Sequence, residues 1–393
     1  MKPPTRLIHP EPAASAGARF VNPPLVRGST VLHDSVADLR KRYERSLAGD
    51  DSGPVSYGRY GTPTHAAFLD AITQLEGGWR SWALPSGLSA CSTAILAFVR
   101  QGDHVLIPDS AYGPTRKFGR DTLARYGVEC SFYDPCIGAQ IEGLFRPTTR
   151  VLFLESPGSL TFEIQDVPLL AQIARRRGAV SIIDNTWATP LYLQPLRLGV
   201  DVSVHAVTKY IGGHADIMLG TITCNQEQAL AVRSTVRALG LTASPDDCWL
   251  ALRGLRTLQA RLTQQRQTAE RLIQYLLAQA EVDRVLYPAL PQDPGHAIWK
   301  RDFSGATGLF GVALRATVPL AAFHALVDGL RLFGLGYSWG GFESLLLPSH
   351  PERSVAAPRP AGSLMRISAG LEDPDDLIAD LDEGFSRLRA AQA

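Results

Sequence analysis

The feature that most restricts the fold of this chain is a repeated alternation of short apolar segments with amphipathic ones. Between residues 64 and 225, segments such as HVLIPD (104–109) and VLFLESPG (151–158) are apolar nearly throughout, and segments with helical periodicity separate them. Strands that are apolar on both faces are typical of a parallel sheet covered by helices on each side. The pattern therefore predicts an α/β domain with a mostly parallel sheet.

The pattern changes at both ends of this region and predicts three parts. Residues 1–60 are rich in Pro, Gly and Arg, and the segment HPEPAASAGARFVNPP (9–24) predicts an irregular arm without a core of its own. Residues 61–255 form the predicted α/β domain. In residues 256–393 the strands are fewer and mixed with helices, which predicts a smaller α+β domain. The segment 244–280 is largely helical and is expected to link the two domains.

Charge and cysteine usage exclude several classes of protein. The 39 basic and 38 acidic residues give a net charge of +1, so we expect no nucleic-acid or membrane-surface partner. The five cysteines form no CxxC pair and the nine histidines are scattered, which predicts reduced thiols and no metal site. The N-terminus lacks the apolar run of a signal peptide and no segment reaches transmembrane length, so we expect a cytoplasmic protein.

The segment DVSVHAVTKYIGGHAD (201–216) places Lys209 at the end of an apolar run. Burying an ammonium group is costly unless the group is paired or loses its charge. A lysine that loses its charge can act as a nucleophile. Lysine is scarce, since only five of the 39 basic residues are lysines. An exposed loop lysine is the alternative interpretation.

Other polar groups are expected near Lys209, because ligands of α/β sheets bind at the carboxyl ends of strands. Asp184 ends the apolar run AVSIID, and Tyr112 follows the strand HVLIPD. The turn at Ser86-Gly87-Leu88 leads directly into a helix, whose N-terminus favours anions. An amine, a carboxylate, an aromatic ring and an anion site together suit pyridoxal 5'-phosphate, which needs a lysine for a Schiff base and a carboxylate at its pyridine nitrogen.

The chain also resembles a known family over nearly its whole length. It is similar to the cystathionine β-lyases, within the Cys/Met-metabolism group of pyridoxal-phosphate enzymes of the aspartate-aminotransferase fold. The motifs that carry the resemblance are TRLIH (5–9), SYGRYGTPT (56–64), QGDHVL (101–106), AYGPT (111–115), VLFLESPGS (151–159), IDNTWA (183–188), TKYIGGH (208–214), RGLRTL (253–258), PALP (288–291), YSWGGFESL (337–345) and RISAGLEDPDDLIADL (366–381).

The resemblance implies roles at the cofactor. Lys209 corresponds to the Schiff-base lysine and Asp184 to the partner of the pyridinium nitrogen. Tyr112 corresponds to the tyrosine that stacks on the ring, and it is assigned with Lys209 to the catalytic residues. The phosphate would be bound by the amides of Gly87 and Leu88 and the hydroxyl of Thr208.

The resemblance also implies roles at the substrate and between subunits. Arg366 corresponds to the arginine that binds the substrate α-carboxylate, and Ser338 and Trp339 form the wall beside it. Tyr57 and Arg59 correspond to residues that reach the phosphate of a neighbouring subunit, and Tyr57 also faces the substrate. A homo-oligomer follows, a dimer at least, and relatives are usually tetramers.

Positions that differ among relatives favour β cleavage of a small amino-acid substrate, cystathionine, to homocysteine, pyruvate and ammonia. Tyr337 stands where γ-cleaving relatives commonly have Glu, and Pro114 where methionine γ-lyases carry Cys. Two departures remain. Ala206 replaces a serine that often binds the phosphate, and Arg237 replaces an aromatic residue of some β-lyases.

The sequence leaves five alternative functions to compare with this one. A γ-type relative (cystathionine γ-lyase or γ-synthase) and a cysteine or cystine desulfhydrase remain open. A non-catalytic regulator would be expected to have lost Lys209, Asp184 or Arg366, all of which are present. A nicotinamide dehydrogenase is disfavoured because the first strand–helix turn reads PSGLSA rather than G-x-G-x-x-G. A serine hydrolase would need G-x-S-x-G, which we do not find.

Overall fold

The computed structural model describes residues 2–8, 20–50, 53, 55–355 and 361–392. Its larger sheet has seven strands in the order β1-β7-β6-β5-β4-β2-β3. The strands are β1 (Arg80–Leu84), β2 (His104–Pro108), β3 (Glu129–Tyr133), β4 (Thr149–Glu155), β5 (Val180–Asp184), β6 (Val202–Ala206) and β7 (Gly220–Cys224).

Strand direction confirms the predicted mostly parallel sheet and adds one reversal. Five adjacent strands run parallel to one another, in the order β6, β5, β4, β2 and β3. Strand β7 is antiparallel to both β6 and β1. Strands β4, β5 and β6 therefore end at the same edge, which brings Glu155 and Asp184 into direct register and leads the chain from Ala206 towards Lys209.

The smaller sheet is antiparallel, in the order β10-β11-β9-β8. Its strands are β8 (Val282–Leu286), β9 (Leu309–Leu314), β10 (Leu345–Ser349) and β11 (Leu364–Ser368). Of these, β9 and β11 were predicted. β8 and β10 were not: the exposed Asp283 and Arg284 interrupt the apolar residues of β8, and β10 is a short strand that is only partly buried.

Helices cover the sheets and confirm most of the helical predictions. They are α1 (Pro3–Ile8), α2 (Val36–Leu47), α3 (Pro63–Glu76), α4 (Gly87–Leu96), α5 (Gly113–Lys117), α6 (Leu123–Arg125), α7 (Val167–Arg176), α8 (Thr189–Tyr192), α9 (Ala229–Ala238), α10 (Pro245–Leu277), α11 (His296–Asp302), α12 (Leu320–Asp328) and α13 (Pro374–Ala390). A π-helical turn, Phe118–Thr122, joins α5 to α6.

Two local predictions were wrong. The helix after β1 does not extend to Gly102: α4 ends at Leu96, and the Gly102 N–H donates to the Gly127 carbonyl in a turn that leads into β2. The arm is not irregular throughout, since α1 and α2 lie within it. Helix α1 buries Leu7 in the main core, whereas α2 buries no residue. Most of the segment 9–24 lies outside the described residues.

The long helix α10 runs through the predicted boundary between residues 255 and 256. One hydrophobic core includes residues of α3, β4, α10, β9 and α13, such as Phe68, Leu152, Leu258, Phe310 and Leu381. The division into domains at 61–255 and 256–393 stays a prediction.

Within the described ranges, no helix is both long and apolar enough to cross a membrane, and no group of three His, Cys, Asp or Glu side chains could hold a metal ion. All five cysteines are free thiols.

Candidate functional site

Lys209 lies in a tight turn just after β6. Its backbone N–H donates to the Ala206 carbonyl (3.0 Å), and its carbonyl accepts from the Gly213 N–H (2.8 Å). Buried Arg261 of α10 holds the same turn by donating to the carbonyls of Tyr210 (2.7 Å) and Ile211 (3.5 Å). The sequence did not single out Arg261, because its role depends on the path of α10 across the turn.

The side chain of Lys209 points towards the loop that precedes β10. Its Nζ donates to the Ser338 hydroxyl at 2.6 Å and lies 5.5 Å from the centre of the Trp339 ring. Burial and the nearby positive charge of Arg366 lower the pKa of Lys209 to about 8, although Asp184 opposes the shift. The amine is therefore available in its neutral, nucleophilic form near pH 8.

Arg366 of β11 also binds Ser338. Its Nη2 donates to the Ser338 carbonyl (2.9 Å), and burial lowers the pKa of Arg366 to about 10. Ser338 itself has a left-handed backbone with φ of +93°, which is strained for a residue other than glycine. Ser338 thus holds the amine through its hydroxyl and the guanidinium through its carbonyl.

Asp184 is held from two sides at the end of β5. Its Oδ1 accepts hydrogen bonds from the backbone N–H (3.0 Å) and the hydroxyl of Thr186, and its Oδ2 accepts from the Cys91 thiol (3.6 Å). The Thr186 hydroxyl in turn accepts from the Ala206 N–H (2.8 Å). Thr186 and Cys91 were missed by the sequence reasoning, because only the fold brings them to Asp184.

The N-terminus of α4 offers an anion site. The Ser86 hydroxyl accepts from the Ser89 N–H (3.1 Å), and the Ser86 carbonyl accepts from the Ala90 N–H (3.0 Å). The first N–H groups of a helix have no partner within it, so those of Gly87 and Leu88 are available to a phosphate.

Close packing of α4 on β6 and β7 fixes this turn beside the lysine. A Cβ on Gly87 would lie 2.5 Å from the Cβ of Ala206, and a Cβ on Gly220 would lie 2.2 Å from the Ser86 carbonyl oxygen. Both distances are shorter than any side chain tolerates. Glycine is therefore required at both positions for the helix to approach the strands.

Thr208 hydrogen-bonds to backbone. Its hydroxyl accepts from the Leu219 N–H (3.0 Å) and donates to the Leu219 carbonyl (3.2 Å). To donate to a phosphate, the hydroxyl must rotate away from that carbonyl. Its assignment as a phosphate ligand stays a prediction.

Tyr112 begins α5 at the same edge of the sheet. Its side chain is half-exposed, and its backbone N–H donates to Oε2 of Glu155 at 2.7 Å. Partial burial and the nearby Asp184 raise the pKa of Tyr112, so its phenol is neutral at physiological pH. Glu155 was not singled out from the sequence.

Tyr57 and Arg59 lie in the segment between α2 and α3. Tyr57 pairs with Thr30 in an isolated β-bridge and is exposed. The Arg59 guanidinium stacks on Tyr60 (4.9 Å) and donates to the Arg237 carbonyl (3.4 Å) at the end of α9. The Arg237 guanidinium stacks on Tyr60 at 4.3 Å. These residues surround Tyr60 rather than Lys209.

The groups collected around Lys209 fit pyridoxal phosphate. An amine with a lowered pKa suits its aldehyde, the carboxylate of Asp184 suits a protonated pyridine nitrogen, and the free N–H groups at α4 suit its phosphate. Tyr112 presents a half-exposed aromatic ring beside them.

Comparison with known proteins agrees with this chemistry. The family model described as Cys/Met metabolism PLP-dependent enzyme matches residues 4–386. The chain is 42% identical to the cystathionine β-lyase of Escherichia coli strain K12, over 94% of each chain. It is 39% identical to the L-alanine/L-glutamate racemase of Wolbachia pipientis wMel, over 95% of this chain and 96% of the racemase.

The fold has solved counterparts. The crystal structure of cystathionine γ-lyase from Lactobacillus plantarum, complexed with L-serine, superposes with a TM-score of 0.88 at 29% identity. The match covers 99% of this chain and 100% of that one. The chain therefore belongs to the Cys/Met metabolism family of PLP-dependent enzymes.

Proposed function

We propose that this enzyme is a cystathionine β-lyase, which cleaves the bond between Cβ and sulfur and yields homocysteine, pyruvate and ammonia. The observation that carries the proposal is the joint attachment of Lys209 and Arg366 to Ser338. An amino acid whose carboxylate binds Arg366 would present its Cα hydrogen to the Lys209 amine.

Each residue of the chain has a definite task in this proposal. Arg366 binds the α-carboxylate with two parallel hydrogen bonds, which suits a planar guanidinium. The neutral Lys209 amine removes the α-proton and later delivers a proton to the departing sulfur, and Ser338 orients that amine. Asp184 would hold the ring nitrogen of the cofactor. Bound pyridoxal phosphate supplies the electron sink that stabilises the α-carbanion.

Tyr337 distinguishes β cleavage from γ cleavage. It stands beside Ser338 where γ-cleaving relatives commonly have Glu, and its side chain is 89% exposed. γ cleavage needs additional proton transfers at Cβ, for which a carboxylate at this place would serve. Tyr337 provides no carboxylate there, and we therefore favour β cleavage.

Product analysis with L-cystathionine tests the proposal. We expect pyruvate and homocysteine in equal amounts from the purified protein with pyridoxal phosphate, and none from Lys209→Ala. Formation of 2-oxobutyrate and cysteine instead would assign the enzyme to the γ-type relatives.

The same preparation is to be incubated with L-alanine and L-glutamate. A relative named as a racemase is 39% identical to this chain, and racemisation also begins with removal of the α-proton. Racemisation without pyruvate formation from cystathionine would overturn the β-lyase proposal. Cystine, tested in parallel, separates a desulfhydrase from a cystathionine-specific enzyme.

We further propose that the enzyme is a homo-oligomer, a dimer at least and by resemblance a tetramer, located in the cytoplasm. Helix α2 buries no residue and exposes Val36, Leu39, Tyr43 and Leu47 at spacings that place them on one face. Tyr57 and Arg59, expected at a phosphate, surround Tyr60 in their own chain. Both features favour a second subunit as the partner of the arm.

A shared site predicts complementation between two inactive variants. Arg59→Ala and Lys209→Ala should each lack activity as homo-oligomers, because one loses a phosphate ligand and the other the amine. Hybrids formed from both contain one site in which both residues are native, so part of the activity should return, measured as pyruvate formation after mixing and refolding. Hybrids shown by differential tagging to have formed, yet inactive, would contradict a shared site.

A further inference from the structure

A buried chain of hydrogen bonds leads from Tyr112 into the core. Oε2 of Glu155 accepts from the Tyr112 N–H (2.7 Å), and the Glu155 N–H donates to the Gln165 side-chain carbonyl (2.9 Å). The Gln165 amide donates to the Tyr133 hydroxyl (3.0 Å), which donates to the Phe153 carbonyl (2.8 Å). Glu155 is 9% exposed, and Gln165 and Tyr133 are at most 1% exposed.

Two further hydrogen bonds join the loop after β4 to neighbouring segments. Gln165 also donates its backbone N–H to the Ser156 hydroxyl (3.0 Å), and the Ser159 N–H donates to the Ser110 carbonyl (2.7 Å). The loop after β4 is thereby attached to the turn after β2. Glu155 forms the side-chain link between that loop and the backbone of Tyr112.

The groups that face Glu155 come from three other elements. Asp184 lies opposite it in the β4–β5 register, Cys91 of α4 lies against Asp184, and Tyr112 begins α5. Burial and the negative charge of Asp184 raise the pKa of Glu155 well above its usual range, and the Tyr112 N–H only partly opposes this. Two neighbouring carboxylates repel each other when both are charged.

We propose that Glu155 is a positioning residue, which holds Tyr112 against the cofactor ring by accepting a hydrogen bond from its backbone N–H. Asp184 is then the partner for the ring nitrogen, while Glu155 serves only as a hydrogen-bonding group. The inference rests on the proposed role of Tyr112 beside pyridoxal phosphate.

Equilibrium binding of pyridoxal phosphate to the apo-protein, with the pH titration of the bound cofactor's absorbance, tests this role. Glu155→Ala should weaken binding by about tenfold, the scale of one buried hydrogen bond, and should shift the midpoint of the titration. Glu155→Gln keeps a hydrogen-bond acceptor for the Tyr112 N–H. Its affinity for pyridoxal phosphate should therefore stay within about twofold of wild type. Glu142→Ala, an exposed carboxyl outside the network, is the control.

A double-mutant cycle with Tyr112→Ala separates positioning from general stabilisation. If Glu155 acts through Tyr112, then Glu155→Ala should add little further loss of binding in the Tyr112→Ala background, whereas additive losses overturn the inference. A Glu155→Gln protein as weak as Glu155→Ala overturns it too. Should Glu155→Ala not fold, Glu155→Asp, whose carboxyl is one methylene shorter, replaces it in the same cycle. A wild-type protein that fails to bind pyridoxal phosphate would instead refute the proposed function.

Discussion

Replacing Lys209 with alanine should abolish β-lyase activity and the covalent attachment of pyridoxal phosphate together. The residue has two tasks in the proposed mechanism, nucleophile and proton carrier. General acid–base catalysis alone is worth about 10²–10⁴-fold, so we expect a loss in kcat of at least about 10⁴-fold. The measurements are pyruvate formation and mass spectrometry after borohydride reduction, which should find the adduct on the peptide that contains Lys209.

The exposed Lys300 provides the matched control, since Lys300→Ala should keep both the adduct and the activity. The pH dependence gives a second check. With the pKa of Lys209 lowered to about 8, the apo-protein should capture pyridoxal phosphate faster as pH rises through about 8, because only the neutral amine attacks an aldehyde. A Lys209→Ala protein with native turnover would remove the lysine from the mechanism.

Replacing Arg366 with lysine should impair the enzyme although the positive charge is kept. Lysine is a point charge and cannot form two parallel hydrogen bonds to a carboxylate. Loss of one charge-assisted hydrogen bond in a buried site costs about 1.5–3 kcal/mol, which corresponds to a fall in kcat/KM of roughly one to two decades. Steady-state kinetics with L-cystathionine measure the change.

The absorbance of the bound cofactor should not change in Arg366→Lys, because the guanidinium contacts Ser338 and not the groups assigned to the ring. Arg331→Lys is the control, since Arg331 is exposed and paired with Glu383 on the surface. Native kcat/KM in Arg366→Lys would exclude the arginine as the carboxylate ligand.

The sequence predicted the parts of the fold that depend on burial. Strands β5 and β6 are apolar nearly throughout, so Asp184 at the end of β5 and Lys209 just after β6 stood out as site candidates. The sequence did not predict the direction of β7, because a strand buried on both faces has the same composition in either direction. It also missed β3, an edge strand that is only partly buried.

The contacts within the site could be predicted less well, because they join distant segments. Ser338 was expected near the lysine. Its hydrogen bonds to both Lys209 and Arg366 depend on a left-handed backbone conformation, which a serine in the sequence does not predict. Glu155 is part of a recognised motif, yet only the strand register shows that it faces Asp184. The phosphate that Arg59 is proposed to bind belongs to a second subunit, so the fold of one chain does not specify that contact.

The packing of α4 on β6 and β7 constrains how this enzyme can evolve. A side chain at position 87 would meet Ala206, and one at position 220 would meet Ser86 and Ala90, so positions 87, 206 and 220 are expected to accept only small residues. Libraries that randomise these three positions should return active members only where all three remain small. New substrate specificity is therefore expected to arise by substitution around Tyr337, whose exposed side chain leaves room for change.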